Sequence, residues 1–370
     1  MAFNCRQENM TMSWEETVQR SWDEDRTGRR IPLLYSLLGL LSLPYRGAVA
    51  LRNGLYDRGL FRQRRLPCPV VSVGNITVGG TGKTPMVILL AKLLREKGRR
   101  PAVLSRGYGA RTKDTVNVVS DGNRILMGWH EAGDEPVLIA RSVPGVPVLT
   151  GPKRFHTGQA AVGRFGADIL ILDDAFQHRA LHRDLDIVLI EAAHPFGNGR
   201  LLPGGPLREP AGALSRAHLL IRTGDSKGSE QPLPGSPEKP SFRGFHRTLG
   251  IVEGGTGRLL PVASLQGQKV CAFAGIGRPE AFRRSLNELT AEIVSFRTFP
   301  DHHPYRPTDV GSLRRLAAET GADRIVTTEK DGVRLADFPD FLREIFLLRI
   351  GMEITPADPL AELIFSRLGY

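Results

Sequence analysis

Blocks of strand-like and helix-like hydrophobic patterning alternate along this chain, and their order predicts a mixed α/β protein. Residues 69–73 form a short β-rich apolar run, and apolar residues then recur at helical spacing from Met86 to Leu94. Further strand-like runs stand at 101–104, 146–149, 167–173 and 186–191, with helical patterns over 133–141 and 153–165. Such alternation is the pattern of a parallel sheet covered by helices. Residues 224–241 interrupt it, being poor in apolar residues and rich in proline, glycine and serine, the composition of a linker. Beyond them the alternation resumes, with strands predicted at 269–274, 293–299 and 324–328 and helices from Glu280 and over 308–320. The expected division is a first α/β domain up to 223, a linker over 224–241, and a second, smaller α/β domain over 242–370.

The chemistry concentrates where the first strand meets the first helix. There the chain reads Val-Gly-Asn-Ile-Thr-Val-Gly-Gly-Thr-Gly-Lys-Thr-Pro from Val73 to Pro85. Glycines 74, 79, 80 and 82 let backbone N–H groups converge on phosphate oxygens, and the helix N-terminus adds partial positive charge. Lys83 is placed to reach β- and γ-phosphates and Thr84 to offer its hydroxyl to Mg²⁺, which predicts an ATP or GTP site. The general phosphate-loop pattern has glycine at position 77, where this chain has Thr77. The apolar run at 167–173 ends in Asp173-Asp174, and a carboxylate there can hold Mg²⁺ directly or through water. Phe176-Gln177-His178 follow at the same edge, and Ser105-Arg106-Gly107-Tyr108 stands at the end of the second strand, where parallel sheets present ligands. Residues 197–210 form a glycine-rich loop ending in Leu207-Arg208-Glu209-Pro210, a candidate lid or binding loop.

Ahead of the phosphate loop, residues 31–43 are leucine-rich, bounded by Pro32 and Pro44, and shorter than the roughly 20 apolar residues that span a bilayer. Arg46, Arg52, Arg58, Arg62, Arg64 and Arg65 follow, with Tyr35 and Tyr45 as amphipathic anchors. This reads either as an interfacial helix on an anionic leaflet or as an ordinary buried helix. An acidic leader argues against a signal peptide. At 370 residues, 41% hydrophobic and 24% charged, the chain is soluble or peripheral to a membrane. A formal charge of +11 suggests an acidic partner such as phosphate, nucleic acid or anionic lipid. Cys5, Cys68 and Cys271 are far apart, which excludes a zinc site or disulfide framework built on C-x-x-C spacing and fits a reducing compartment.

These motifs together resemble the tetraacyldisaccharide 4′-kinase family of Gram-negative bacteria. The resemblance rests on 73–85, Ser105–Tyr108, Gly133-Asp-Glu-Pro136, Asp173-Asp-Ala-Phe-Gln-His178, Phe196-Gly-Asn-Gly199, Leu207–Pro210, Ala274-Gly-Ile-Gly277, Asp301-His302 and Thr328-Glu-Lys-Asp331. It runs from about residue 30 to the C-terminus, so that 29–223 is the first domain and 1–28 looks like an extension other members lack. Thr77 agrees with the family's own loop, whereas Ala175 stands where the family usually has glycine. The resemblance implies a P-loop NTPase-like α/β/α domain followed by a second α/β domain, with ATP and Mg²⁺ in the cleft. It implies transfer of the γ-phosphate to the 4′-hydroxyl of a tetraacylated glucosamine disaccharide 1-phosphate at the cytoplasmic face of the inner membrane, with the protein bound peripherally. Carried over residue by residue, Asp134 is the base, supported by His302. Val78, Gly79, Gly80, Thr81, Gly82, Lys83, Thr84 and Pro85 hold nucleotide, and Thr84 and Asp173 serve Mg²⁺. Ser105, Arg106, Tyr108, Gln177, His178 and Arg208 contact the glycolipid, with Glu135 and Asp174 behind them.

Two rival classes share parts of this pattern. A GTP-dependent switch or metallochaperone reads guanine through [NT]-K-x-D, whereas Thr328-Glu329-Lys330-Asp331 sets lysine directly beside aspartate. A nucleic-acid-binding ATPase clusters basic and aromatic residues along one face, whereas the arginines here are dispersed. No nucleic-acid or obligate protein partner is therefore expected.

Overall fold

The structure, a computed structural model, describes residues 22, 32–112, 114–224, 233 and 239–369. Cys5, the 1–28 extension apart from Trp22, most of the 224–241 linker and the Tyr35 side chain lie outside the described residues.

The chain begins with α1 (Pro32–Asp57), β1 (Val70–Asn75), α2 (Lys83–Glu96), β2 (Pro101–Ser105), β3 (Asn117–Ser120), α3 (Trp129–Ala132), α4 (Asp134–Ser142) and β4 (Val148–Thr150). It continues with α5 (Arg154–Phe165), β5 (Ile169–Asp173), β6 (Leu185–Glu191), β7 (Leu219–Thr223), β8 (Ser241–Glu253), β9 (Leu259–Leu260) and β10 (Lys269–Ala274). The remaining elements are α6 (Pro279–Glu288), β11 (Glu292–Thr298), α7 (Pro307–Glu319), β12 (Arg324–Thr328), α8 (Glu329–Arg334), α9 (Pro339–Glu344), β13 (Ile345–Thr355) and α10 (Ala357–Leu368).

All these strands join one 13-stranded sheet in the order β11-β10-β12-β13-β8-β7-β6-β1-β5-β2-β4-β3, with β9 beside β8. From β7 to β4 the neighbours are parallel, and β3 closes that edge antiparallel to β4. From β11 to β13 they are parallel again. The two parallel sections meet at β8, which starts alongside β7 and pairs antiparallel with β13 along most of its length. Ser241, read from the sequence as the last residue of the linker, is the first residue of β8.

The central strands β1 and β5 are buried throughout and β6 almost throughout, which is why they read as unbroken apolar runs. One face of β1, β5 and β6 packs Val71, Ile171 and Ile187 against Met86, Leu90 and Leu94 of α2. The opposite face sets Val70, Leu170 and Leu172 with Ala161 of α5. In the second section Phe282 and Leu286 of α6 cover one face, and Phe273, Leu313 and Phe341 fill the other.

The leucine-rich segment departs from expectation at Pro44, which does not end the helix: α1 continues through it for 26 residues in all. Pro44 removes one N–H, but it lies on the exposed side, while the inner side is anchored to the loop after β6. Ser42 Oγ donates toward Leu38 O and Leu201 O, each at 2.9 Å, and accepts from the Gly204 N–H. The leucines divide accordingly, with Leu38 3% exposed and Leu37, Leu40, Leu41, Leu43 and Leu51 all open to solvent. Arg52 is a correction to the basic set, because it turns inward to the buried Glu209. Among the described residues no helix is long and apolar enough to cross a membrane. Cys68 and Cys271 are both free thiols.

Candidate active site

The phosphate loop leaves the C-terminal end of β1 and enters α2 at Lys83. Asn75 Nδ2 donates to Thr81 Oγ1 at 3.0 Å and so braces the loop from within. Gly82 adopts φ +89°, and a Cβ there would meet His246 Nε2 and Met352 Cε at 2.7 Å, so only glycine fits beneath β8 and β13. On its other side the loop is zipped to residues 206–208: Val78 N–H donates to Pro206 O at 2.8 Å and Arg208 N–H to Ile76 O at 2.7 Å. The backbone limits what two of the expected nucleotide-binding residues can donate. The Val78 amide is engaged by Pro206, and Pro85, in the first turn of α2, has no N–H to offer.

Asp173 and Asp174 stand beside this loop at the end of β5. Asp173 is buried, its Oδ2 accepts from Ser105 Oγ at 3.0 Å, and its Oδ1 has no hydrogen-bond partner. Burial, with Glu135 and Asp174 adding like charge, pushes its carboxyl up to about 7 against the pull of Lys83. Asp174 has a left-handed backbone, φ 46°. Its two oxygens accept from Arg208 Nη1 at 2.9 and 2.8 Å, and Lys83 Nζ lies 3.8 Å away. Burial alone would raise Asp174, but Lys83 and Arg208 outweigh it and hold the group ionised. Among the described residues there is no cluster of three or more His, Cys, Asp or Glu arranged to hold a metal. A buried, unpartnered carboxylate oxygen beside a phosphate loop nevertheless suits Mg²⁺, which takes one or two protein oxygens and completes its shell with phosphate and water.

Asp134 opens α4 and is 4% exposed. Its Oδ2 lies 2.9 Å and its Oδ1 3.2 Å from Nδ1 of His302, which comes from the loop after β11. Burial opposes its charge, but the His302 hydrogen bond, Lys330, the positive charge of a protonated His302 and Arg334 together prevail and lower the Asp134 carboxyl to about 2. His302 is held at φ 58°, with its N–H donating to Asp301 Oδ1 at 3.0 Å. Lys330 Nζ lies 3.2 Å from His302 Nε2 and 3.4 Å from Glu135 Oε1. Behind it Arg334, 1% exposed, sets Nη2 2.6 Å from Asp331 Oδ1 and Nε 3.6 Å from Asp134 Oδ2. An ionised carboxylate, a histidine and a phosphate-loop lysine thus line one edge of the sheet, a constellation able to accept a proton and steady phosphoryl charge.

The family model for tetraacyldisaccharide-1-P 4′-kinase matches residues 34–368. The chain belongs to this family. It is 49% identical to a tetraacyldisaccharide 4′-kinase of Syntrophus aciditrophicus (strain SB), over 96% of this chain and 99% of the relative. It is 47% identical to one of Anaeromyxobacter sp. (strain Fw109-5), over 95% of this chain and 96% of the relative. The crystal structure of "apo" form LpxK from Aquifex aeolicus in complex with ATP superposes with a TM-score of 0.75 at 34% identity, over 90% of this chain and 99% of that one.

Within this tetraacyldisaccharide 4′-kinase fold, the residues expected from sequence are placed in different ways. Lys83, Asp134, Glu135, Asp173, Asp174, Ser105 and His302 are drawn into one connected set of contacts and charges. Arg208 and Gln177, expected to touch acceptor, are engaged within the protein, Arg208 with Asp174 and Gln177 Nε2 with Asn75 O at 2.8 Å. Arg106 and Tyr108 are exposed at the mouth, with the Tyr108 ring 6.1 Å from that of His302. His178 is kept neutral by burial and by Arg154, Arg183 and Arg106, which bring it down to about 4. The sequence reading missed Lys330, Arg334 and Glu209. The signal for the first two was the charged run Glu329-Lys330-Asp331 at the end of β12, and for Glu209 an acidic residue directly beside Arg208.

Proposed function

We propose that the protein is an ATP-dependent kinase that phosphorylates the 4′-hydroxyl of a tetraacylated glucosamine disaccharide 1-phosphate, a step of lipid A synthesis. The observation that carries this reading is the 2.9 Å contact between ionised Asp134 and His302 on the sheet edge that also bears the phosphate loop. In the proposed reaction Asp134 accepts the proton of the sugar hydroxyl as the oxygen attacks the γ-phosphorus, and His302 orients Asp134. Lys83 and the amides from Gly79 to Thr84 hold the β- and γ-phosphates and offset charge as the bond to ADP breaks. Thr84 and Asp173 would hold Mg²⁺, which supplies charge neutralisation at the phosphates. Arg208 keeps Asp174 in place beside Lys83, and Arg106, Tyr108 and His178 are left to meet the glycolipid.

The finer architecture belongs to the same proposal. Residues 29–223 act as a P-loop NTPase-like domain and 242–370 as a second domain that brings His302 and Lys330 to the cleft, with β8 and β13 as the joint. A multiply acylated glycolipid stays in its bilayer, at about 0.8 kcal/mol per buried CH₂, so the enzyme works at the membrane surface. The open leucines of α1 support contact with a membrane surface, with Arg46, Arg58, Arg62, Arg64 and Arg65 facing solvent near anionic headgroups, and the proposed side is the cytoplasmic face of the inner membrane. The test is nucleotide turnover with ATP or GTP, with and without the disaccharide lipid. Lipid-dependent ATP turnover supports the kinase; GTP preference or stimulation by nucleic acid refutes it.

A further inference from the structure

Lys330 stands in the first turn of α8 with its ammonium among acidic side chains. Nζ is 3.4 Å from Glu135 Oε1, 3.6 Å from Asp301 Oδ1 and 3.2 Å from His302 Nε2. An ammonium has three donors and no acceptor, so the last contact is a hydrogen bond only if Nε2 accepts. A ring whose Nε2 accepts bears its proton on Nδ1, and Nδ1 is the nitrogen that faces Asp134. The two contacts together leave one protonation pattern: a neutral imidazole donating from Nδ1 to an ionised carboxylate.

We propose that Lys330 is a positioning residue that holds His302 as the neutral Nδ1–H tautomer and thereby keeps Asp134 a stronger proton acceptor than it would be beside an imidazolium. Its charge is secure in this place: burial alone would weaken it, but Glu135, Asp134 and Asp301 outweigh both burial and the opposing Arg334 and raise its pKa. Without the ammonium, Nε2 would face Asp301 Oδ2 at 3.9 Å, and a second ring proton would gain carboxylates on both sides. An Asp134 paired with an imidazolium is a weaker base. The groups facing the ring are therefore Asp134 from α4, Asp301 from its own loop, Lys330 from α8 and the Tyr108 ring, with Glu135 against Lys330 and Arg334 against Asp134 one contact further out. The consequence for catalysis rests on the kinase reading above, whereas the tautomer does not.

The test is ring-¹⁵N NMR of the full-length protein labelled at its nine histidines, with His302 assigned by loss of its signals in His302→Gln. The wild-type protein should show a protonated Nδ1 and a bare Nε2 at neutral pH. Lys330→Met should add a proton at Nε2 on acidification and give kcat a new acid limb of roughly tenfold, part of the 10²-fold or more that a positioned base contributes, with KM for ATP unchanged. Lys330→Arg, which also only donates, should restore the wild-type pattern. If Lys330→Met fails to fold, Lys330→Gln reads the same effect, because it keeps a donor while removing the cation and should also gain the second proton on acidification. A bare Nδ1 in the wild type, or an unchanged ring in a folded Met or Gln variant, overturns the proposal. A folded wild type with the expected ring pattern but no lipid phosphorylation would refute the kinase reading and leave the tautomer standing.

Discussion

His302 Nδ1 lies 2.9 Å from Asp134 Oδ2 although 168 residues separate them in the chain. One residue opens a helix of the first parallel section, and the other sits in a loop of the second. If the two act as a unit, Asp134→Ala and His302→Ala should each lower kcat, while the double variant loses far less than the product of the two losses. Steady-state kinetics on the four proteins decide it, and multiplicative losses or a change confined to KM for ATP would count against the pairing.

Asp173 gives the pH dependence a definite sign. Its folded pKa, near 7, exceeds the ordinary aspartate value of about 3.9, so the folded state holds the extra proton between them. Stability from this group is full below about pH 4 and lost as pH rises toward 7. Without Mg²⁺, Asp173→Asn should therefore raise Tm most at pH 8 and least at pH 4, and Mg²⁺ should stabilise the wild type at pH 8 but not the variant. A Tm difference independent of pH would show that the buried carboxylate does not titrate in this window.

The pair behind the dyad is structural. Asp331 Oδ1 accepts from Gly275 N–H at 3.0 Å, Tyr305 Oη at 2.8 Å and Arg334 Nη2 at 2.6 Å, all in a buried setting. Asp331→Ala strands the Arg334 charge and should cost about 3–5 kcal/mol in denaturant unfolding. A loss under about 1 kcal/mol would mean that water or Asp134 replaces the missing partner.

The two sides of α1 should separate by function. Replacing Leu37, Leu40 and Leu41 together by serine should weaken binding to anionic vesicles, with little change in Tm or ATP affinity, because these side chains are open. Leu38→Ser should instead lower Tm. Binding by the parent protein should weaken as salt rises, since headgroup attraction is screened. Equal loss of ATP affinity in the triple variant would place those leucines in the core.

Much of the first section was legible, because its strands are buried on both faces and stand between glycine and proline signals. β5 ends at Asp173, where its apolar run meets the paired aspartates, whereas β1 runs two residues past its apolar run, through Gly74 to Asn75. The joint between the sections was not. In β13, a Cβ on Gly351 would meet Leu249 Cδ1 at 2.5 Å, so the glycine marks close packing inside a long strand that the sequence expectations did not include. Lys330 and Arg334 were missed because α8, from Glu329 to Arg334, is too short to show a period. The pairing of Asp134 with His302 left no trace in spacing, and a histidine close to Pro304 reads as surface until the fold closes; only the family resemblance pointed to it.

The central claim is that this sheet edge transfers the γ-phosphate to a glycolipid hydroxyl, and single-turnover transfer from γ-labelled ATP to the disaccharide lipid tests it directly. The account predicts label in a new monoester at the 4′-position, and a rate reduced by a factor on the order of 10² or more in a folded Lys83→Ala variant. Label released only as inorganic phosphate, or transfer undiminished in that variant, would contradict it.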